Sequence, residues 1–160
     1  MTNTSCVDIK FALAKIEDTL KHVLPFTDFH HFYRAKTFIE SNNFYAAIMA
    51  LNRIRSTTYN ASQLIVSSLY VKGVILAYED QFNTALELLK ETLKYKGSGD
   101  TDQNLVKDIN KAIDIIEIQN KADTLYNQVK PNEDTFEQIC KVALKHAREY
   151  LQASKKLIKT

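Results

Sequence analysis

Four histidines, two cysteines and a few paired acids are the side chains of this 160-residue chain that could do chemistry. Their spacing limits each of them. His30 and His31 are adjacent, so a helix would turn them about 100° apart, and neither has a His or Cys four residues on. His22 and His146 stand alone and read as surface or capping residues. Cys6 and Cys140 belong to no short-spaced motif, which indicates neither a disulfide framework nor a zinc site. Asp100-Thr101-Asp102 opens like a calcium loop. That loop needs Gly at its sixth place and Glu at its twelfth, and these are Leu105 and Lys111. The two Asp residues read better as caps of a following helix. Glu79-Asp80 and Glu133-Asp134 fall at predicted helix ends, with no reason to share a proton. No phosphate loop or nucleophile elbow occurs. The expectation is a protein that is not an enzyme, with no catalytic residues, no cofactor and no metal.

One charged pattern remains. Lys141, Lys145 and Arg148 recur at i, i+4 and i+7 on one face of a predicted helix. Residues 141–160 hold six cations against Glu149 alone, a net +5 in a chain of formal charge +2. This stripe is either a solvated face near a helix C-terminus or a docking patch for an acidic segment. The weak overall charge disfavours nucleic acid, and the Tyr and Phe residues do not alternate with the cations.

Composition bounds the rest. A chain 45% hydrophobic and 25% charged forms a core rather than a disordered coil. Three Gly and two Pro are too few breakers for a β-rich fold of this length. No apolar run approaches the ~20 residues of a bilayer span, and the polar N-terminus carries no signal-like apolar core. Asn3-Thr4-Ser5 and Asn60-Ala61-Ser62 therefore read as chance glycosylation matches. A reducing, cytoplasmic setting without membrane contact is the expectation.

Helical periodicity then organises the chain. Ile9, Leu13, Ile16, Leu20 and Val23 share one face of a first helix, which Pro25 ends. A second runs from about Asp28, as its cap, to Ser41, and a third from Phe44 to Arg55. A fourth covers Ala61 to Glu79, a fifth Phe82 to Tyr95, a sixth Asp102 to Val129, and a seventh starts at Glu133. The predicted fold is all-α, with about seven antiparallel helices in a single domain over 1–160.

Two of these hairpins echo one another. A shift of 38 residues aligns Phe44 with Phe82, Ala47 with Ala85 and Leu51 with Leu89, and sets Ala35 against Gly73. Small residues fall where helices approach closely and large ones fill the space between. At these residues the chain resembles the tetratricopeptide repeat (TPR) family, whose unit is a 34-residue helix–turn–helix. Residues 69–129 are similar in pattern to the TPR arrays of J-domain co-chaperones, although the J domain and its His-Pro-Asp motif are absent. The resemblance implies a short right-handed superhelix: a capping helix over 1–27, a first unit over 28–61, a second over 62–101, and a degenerate third unit with the C-terminal helix over 102–160.

It also implies a concave groove lined by the first helix of each unit. On this chain the groove would receive Phe29, Phe32, Lys36, Ile39, Tyr70, Val74 and Tyr126. The Lys and Asn clamp with which chaperone-binding members hold a peptide carboxylate is missing. An apolar or helical protein segment is the implied partner, making the chain a protein-binding adaptor, in co-chaperone fashion. Two alternatives stay open: the groove side chains are buried against the N-terminal helix, or the chain is a structural subunit of a larger assembly.

Overall fold

The computed structural model describes residues 4–55, 58–95, 97, 101–126 and 133–158, with side chains described over 6–55, 58–95, 97, 101–122 and 136–155. All its regular structure is helical: α1 Thr4–Val23, α2 Phe26–Glu40, α3 Phe44–Leu51, α4 Tyr59–Tyr78, α5 Phe82–Thr92, α6 Gln103–Tyr126 and α7 Glu133–Ile158.

The hairpins α2–α3 and α4–α5 repeat down to single hydrogen bonds. Asn42 and Asp80 are 38 residues apart and both take a left-handed backbone, at φ 61° and 66°. In the first turn Asn43 N–H donates to Phe38 O at 2.9 Å and Asn42 N–H to Ile39 O at 3.0 Å. In the second, Gln81 N–H donates to Leu76 O at 2.9 Å and Asp80 N–H to Ala77 O at 3.0 Å. Both are Schellman caps, in which a left-handed residue lets two N–H groups satisfy the orphan carbonyls of the helix end. The close approach inside the second hairpin is equally literal. A Cβ on Gly73 would sit 2.5 Å from Leu89 Cδ2.

The hairpins stack through α3 and α5, but α2 and α4 do not pack against each other. Helix α1 lies on α4 and α7 instead, and α4 is also covered by α5, α6 and α7. Its buried residues run from Ala61 to Ala77 with Lys72 the one interruption. By length and composition α4 could cross a membrane, which the sequence reading overlooked; in the fold it is enclosed by other helices. Two further sequence expectations change. Asp28 is not the cap of α2, because Pro25 holds that position; its buried carboxylate accepts from Arg55 N–H at 3.4 Å, across 27 residues. Helix α4 starts at Tyr59 rather than Ala61, capped by Thr58, whose Oγ1 accepts from Ala61 N–H at 3.2 Å.

The cysteines require a correction. Cys6 and Cys140 are disulfide-bonded, with Cα atoms 5.2 Å apart and both side chains fully buried. Their spacing gives no hint of this, because the pairing is made by tertiary contact between α1 and α7. The bond joins the N-terminal portion of α1 to the N-terminal portion of α7, and the two helices run side by side in one direction.

Two predictions follow from these constraints. Glycine adopts a left-handed backbone without the Cβ penalty, so Asn42→Gly and Asp80→Gly should each leave stability equal or raise it by up to about 1 kcal/mol, whereas Asn42→Val should lose about 1–2 kcal/mol. Chemical denaturation of the three variants checks this. The disulfide closes a loop spanning 134 residues. The double variant Cys6→Ala/Cys140→Ala should therefore lose roughly 2–4 kcal/mol in urea unfolding while keeping its helical circular dichroism.

Candidate functional site

The residues expected to line a concave groove separate into two environments. Tyr70 and Val74 are 1% and 0% exposed and offer no surface to a partner. Helices α1 and α7 cover the face of α4 that carries them, and the Tyr70 ring lies 6.4 Å from that of His146 on α7. Burial, with the nearby Asp108 charge second, holds the Tyr70 hydroxyl neutral well above its ordinary range. The Tyr126 side chain lies outside the described residues.

Phe32, Lys36 and Ile39 have a different fate. Because α2 and α4 do not pack together, a cleft of about 170 Å³ opens between α1, α2 and α4, and these three residues line it. Leu13, Leu51 and Leu69 complete its apolar wall. Its polar rim holds Glu17, Lys36, Glu40 and Lys72. Lys36 Nζ and Glu17 Oε2 pair at 2.7 Å across the mouth, and that hydrogen bond raises the lysine's pKa. Phe29 stands behind the cleft, half-buried, its ring 6.1 Å from that of Phe32. The volume decides what could enter. Sites that take up a whole small molecule measure ~300–1,000 Å³, so this cleft suits one large side chain.

The predicted basic stripe is on the surface as expected: Lys141, Lys145 and Arg148 are all exposed on α7. The opposite face of α7 holds what sequence reasoning missed. His146 is 4% exposed, and its Nε2–H donates to Asp108 Oδ2 on α6 at 2.7 Å. One turn on, Tyr150 O–H donates to Asp102 Oδ2 at 2.6 Å. The other Asp102 oxygen accepts from Asn104 N–H at 2.8 Å, the capping role anticipated for it. Gln63 on α4 joins by accepting from Asp102 N–H at 2.9 Å. The seam ties α4, α6 and α7 together. Its only sequence signal is the i, i+4 placement of His146 and Tyr150, two polar tips beside an apolar face.

Among the described residues no three His, Cys, Asp or Glu side chains converge to hold a metal. The His146 ring is buried between helices while Asp108 is partly exposed, and neither lines the α1–α2–α4 cleft. The pair ties α6 to α7.

The Tyr150 hydrogen bond is the largest cause holding the Asp102 carboxyl below its ordinary value of 3.8. A carboxylate with a lowered folded pKa adds stability above its unfolded pKa and loses it as pH falls through the folded value. Tyr150→Phe should cost roughly 1–2 kcal/mol at pH 7, allowing for partial solvent screening. The gap between wild type and variant should narrow as pH falls below the ordinary carboxyl value of 3.8, as followed by urea unfolding across about pH 2–7.

Comparison of the chain with protein-family models, with curated proteins and with solved structures returns no match, so the reading of the site rests on its own geometry.

Proposed function

We propose that this chain is a non-catalytic protein-interaction adaptor that captures an apolar or helical segment of a partner protein. The observation that carries this reading is the cleft between α1, α2 and α4, apolar inside and charged at its rim. Interfaces concentrate their binding energy where one large side chain enters a desolvated pocket ringed by polar groups. A cleft of about 170 Å³ has the size for that role. The two repeated hairpins support a TPR-like ancestry, in which the inner face is filled by α1 and α7 and the remaining opening lies beside α2. Co-chaperone-like work is one form such an adaptor could take. The paired cysteines bear on location: lasting disulfides belong to oxidising compartments, so a cytoplasmic setting does not follow from them.

A specific observation favours a second reading, a structural subunit of a larger assembly. Tyr45 and Met49, one turn apart on α3, are 68% and 51% exposed, and Phe26 on α2 is 89% exposed. Large apolar side chains left wet on neighbouring elements suit permanent contacts.

Selection of a random peptide library on the folded chain tests the first reading. Enriched peptides should share one large apolar residue. Ile39→Asp, at a half-buried cleft position, should weaken them about tenfold or more without loss of helicity or melting temperature. If no peptide is enriched and the isolated chain self-associates in sedimentation, the assembly-subunit reading takes its place.

A further inference from the structure

A second, longer opening runs between α1 and α7, about 780 Å³ in volume. We propose that this groove receives an acidic amphipathic helix from a partner protein. The inference rests on the protein-binding reading and adds a second surface with its own partner chemistry.

The first argument is spacing. The α1 residues on the groove fall at 8, 11, 12, 15, 18 and 19, and those of α7 at 144, 148, 151, 152 and 155. Each set repeats at three- and four-residue steps, the pattern of a seam into which another helix packs. Each spans twelve residues, roughly 16 Å between the end Cα atoms at 1.5 Å per residue, or three turns. The walls run in one direction from the Cys6–Cys140 bond, which fixes them at their N-terminal side. The bond holds the two walls side by side, and an occupant would lie along the furrow above their contact rather than between them.

The second argument is the lining. Ala12, Leu144 and Leu151 form an apolar floor, and Phe11, 67% exposed, stands on the rim. A large aromatic left that wet beside an apolar floor is a natural contact for an incoming apolar stripe.

The third argument is charge, and it selects the occupant. Lys15, Arg148 and Lys155 line the groove, and among the described residues none has a carboxylate within 4.0 Å. Elsewhere Lys10, Lys36, Lys90 and Lys94 are paired, with Glu79, Glu17, Glu117 and Glu91. Lys141 and Lys145 extend the basic wall along α7. The acids of the groove, Asp8 and Asp18, sit on the α1 wall alone. One wall is thus basic throughout and the other mixed. A helix with Leu-type residues along one stripe and Glu or Asp on the flank facing α7 satisfies both. A basic helix would meet Arg148 and Lys155 with like charge, and an uncharged one would leave the cations without partners.

The test uses two fluorescein-labelled helical peptides of about 15 residues with the same Leu stripe, one flanked by Glu and its twin by Lys. Fluorescence anisotropy reads binding, and methyl NMR of the protein reads its location. The Glu peptide should bind at least about tenfold more tightly than the Lys twin, and Arg148→Glu/Lys155→Glu should reverse that order. Lys107→Glu/Lys111→Glu, an equal charge change at exposed positions of α6, should alter binding by no more than about twofold. Methyl shifts should gather at Ala12, Leu144 and Leu151. Failure of the Glu peptide to bind would overturn the proposal. So would equal weakening by the two charge reversals, or shifts gathered at Leu13, Ile39 and Leu69. The last result would assign the peptide to the α1–α2–α4 cleft and leave the adaptor reading standing without this groove. Loss of the library peptides at that cleft, with the Glu peptide still bound here, would have the opposite meaning.

Discussion

The fold depends on one helix that has no side it can show to water. From Ala61 to Ala77 the only charged residue is Lys72, and apart from Gln63 the rest is aliphatic, aromatic or small. A helix apolar all round must be enclosed, because each large aliphatic side chain left wet forgoes about 1.5–3 kcal/mol of burial. One hairpin partner cannot enclose it. Helix α5 covers one side of α4, so α1, α6 and α7 are drawn onto the others. Two of the buried serines of α4 are accommodated by bonds within that enclosure, whereas the buried Ser67 Oγ has no hydrogen-bond partner among the described residues. Ser68 Oγ donates to Ile65 O at 2.6 Å, and Ser62 Oγ lies 3.5 Å from Tyr95 Oη.

That demand explains why a concave array is not what forms. In a stacked repeat, α2 would lie beside α4 along an inner face open to ligand. Here α1 takes the place against α4, and the disulfide ties it to α7, which covers α4 from another direction. Displacing α2 has a local consequence. The residues with which it would have met α4 become the wall of a small cleft, and Lys36 finds its partner in Glu17 of the intruding α1. The cleft and the filled inner face are thus two results of one substitution of neighbours.

What could be read from the sequence follows the range of the interactions involved. The seven helices were legible because periodicity and caps act within a few residues, and so was the 38-residue echo. Asp102 was legible as a cap for the same reason. The Cys6–Cys140 bond and the His146–Asp108 pair were not, being made between residues 134 and 38 positions apart by the packing of whole helices. Phe32, Lys36 and Ile39 do share an opening, though beside a different neighbour than the repeat alignment implied. Tyr70 and Val74 went astray for a reason the sequence contained: a helix with one charge in seventeen residues cannot present an open face. Reading α4 by alignment to a repeat, rather than by what its own surface requires, concealed that.

The two hairpins share a local motif while their surroundings differ. The turns at Asn42 and Asp80 match bond for bond because a Schellman cap is decided by about six residues of backbone. The surfaces around them differ completely. Helix α2 keeps Tyr33 and Phe26 exposed, whereas the corresponding stretch of α4 is sealed. An array of stacked repeats needs compatible outer faces on successive units, and those faces are chosen by side chains that the turn does not constrain. With no polar face on α4, stacking on α2 alone would not enclose it. The terminal helices are therefore part of the core, and the charged residues on their outward sides, of both signs on α1 and basic on α7, line the long groove between them.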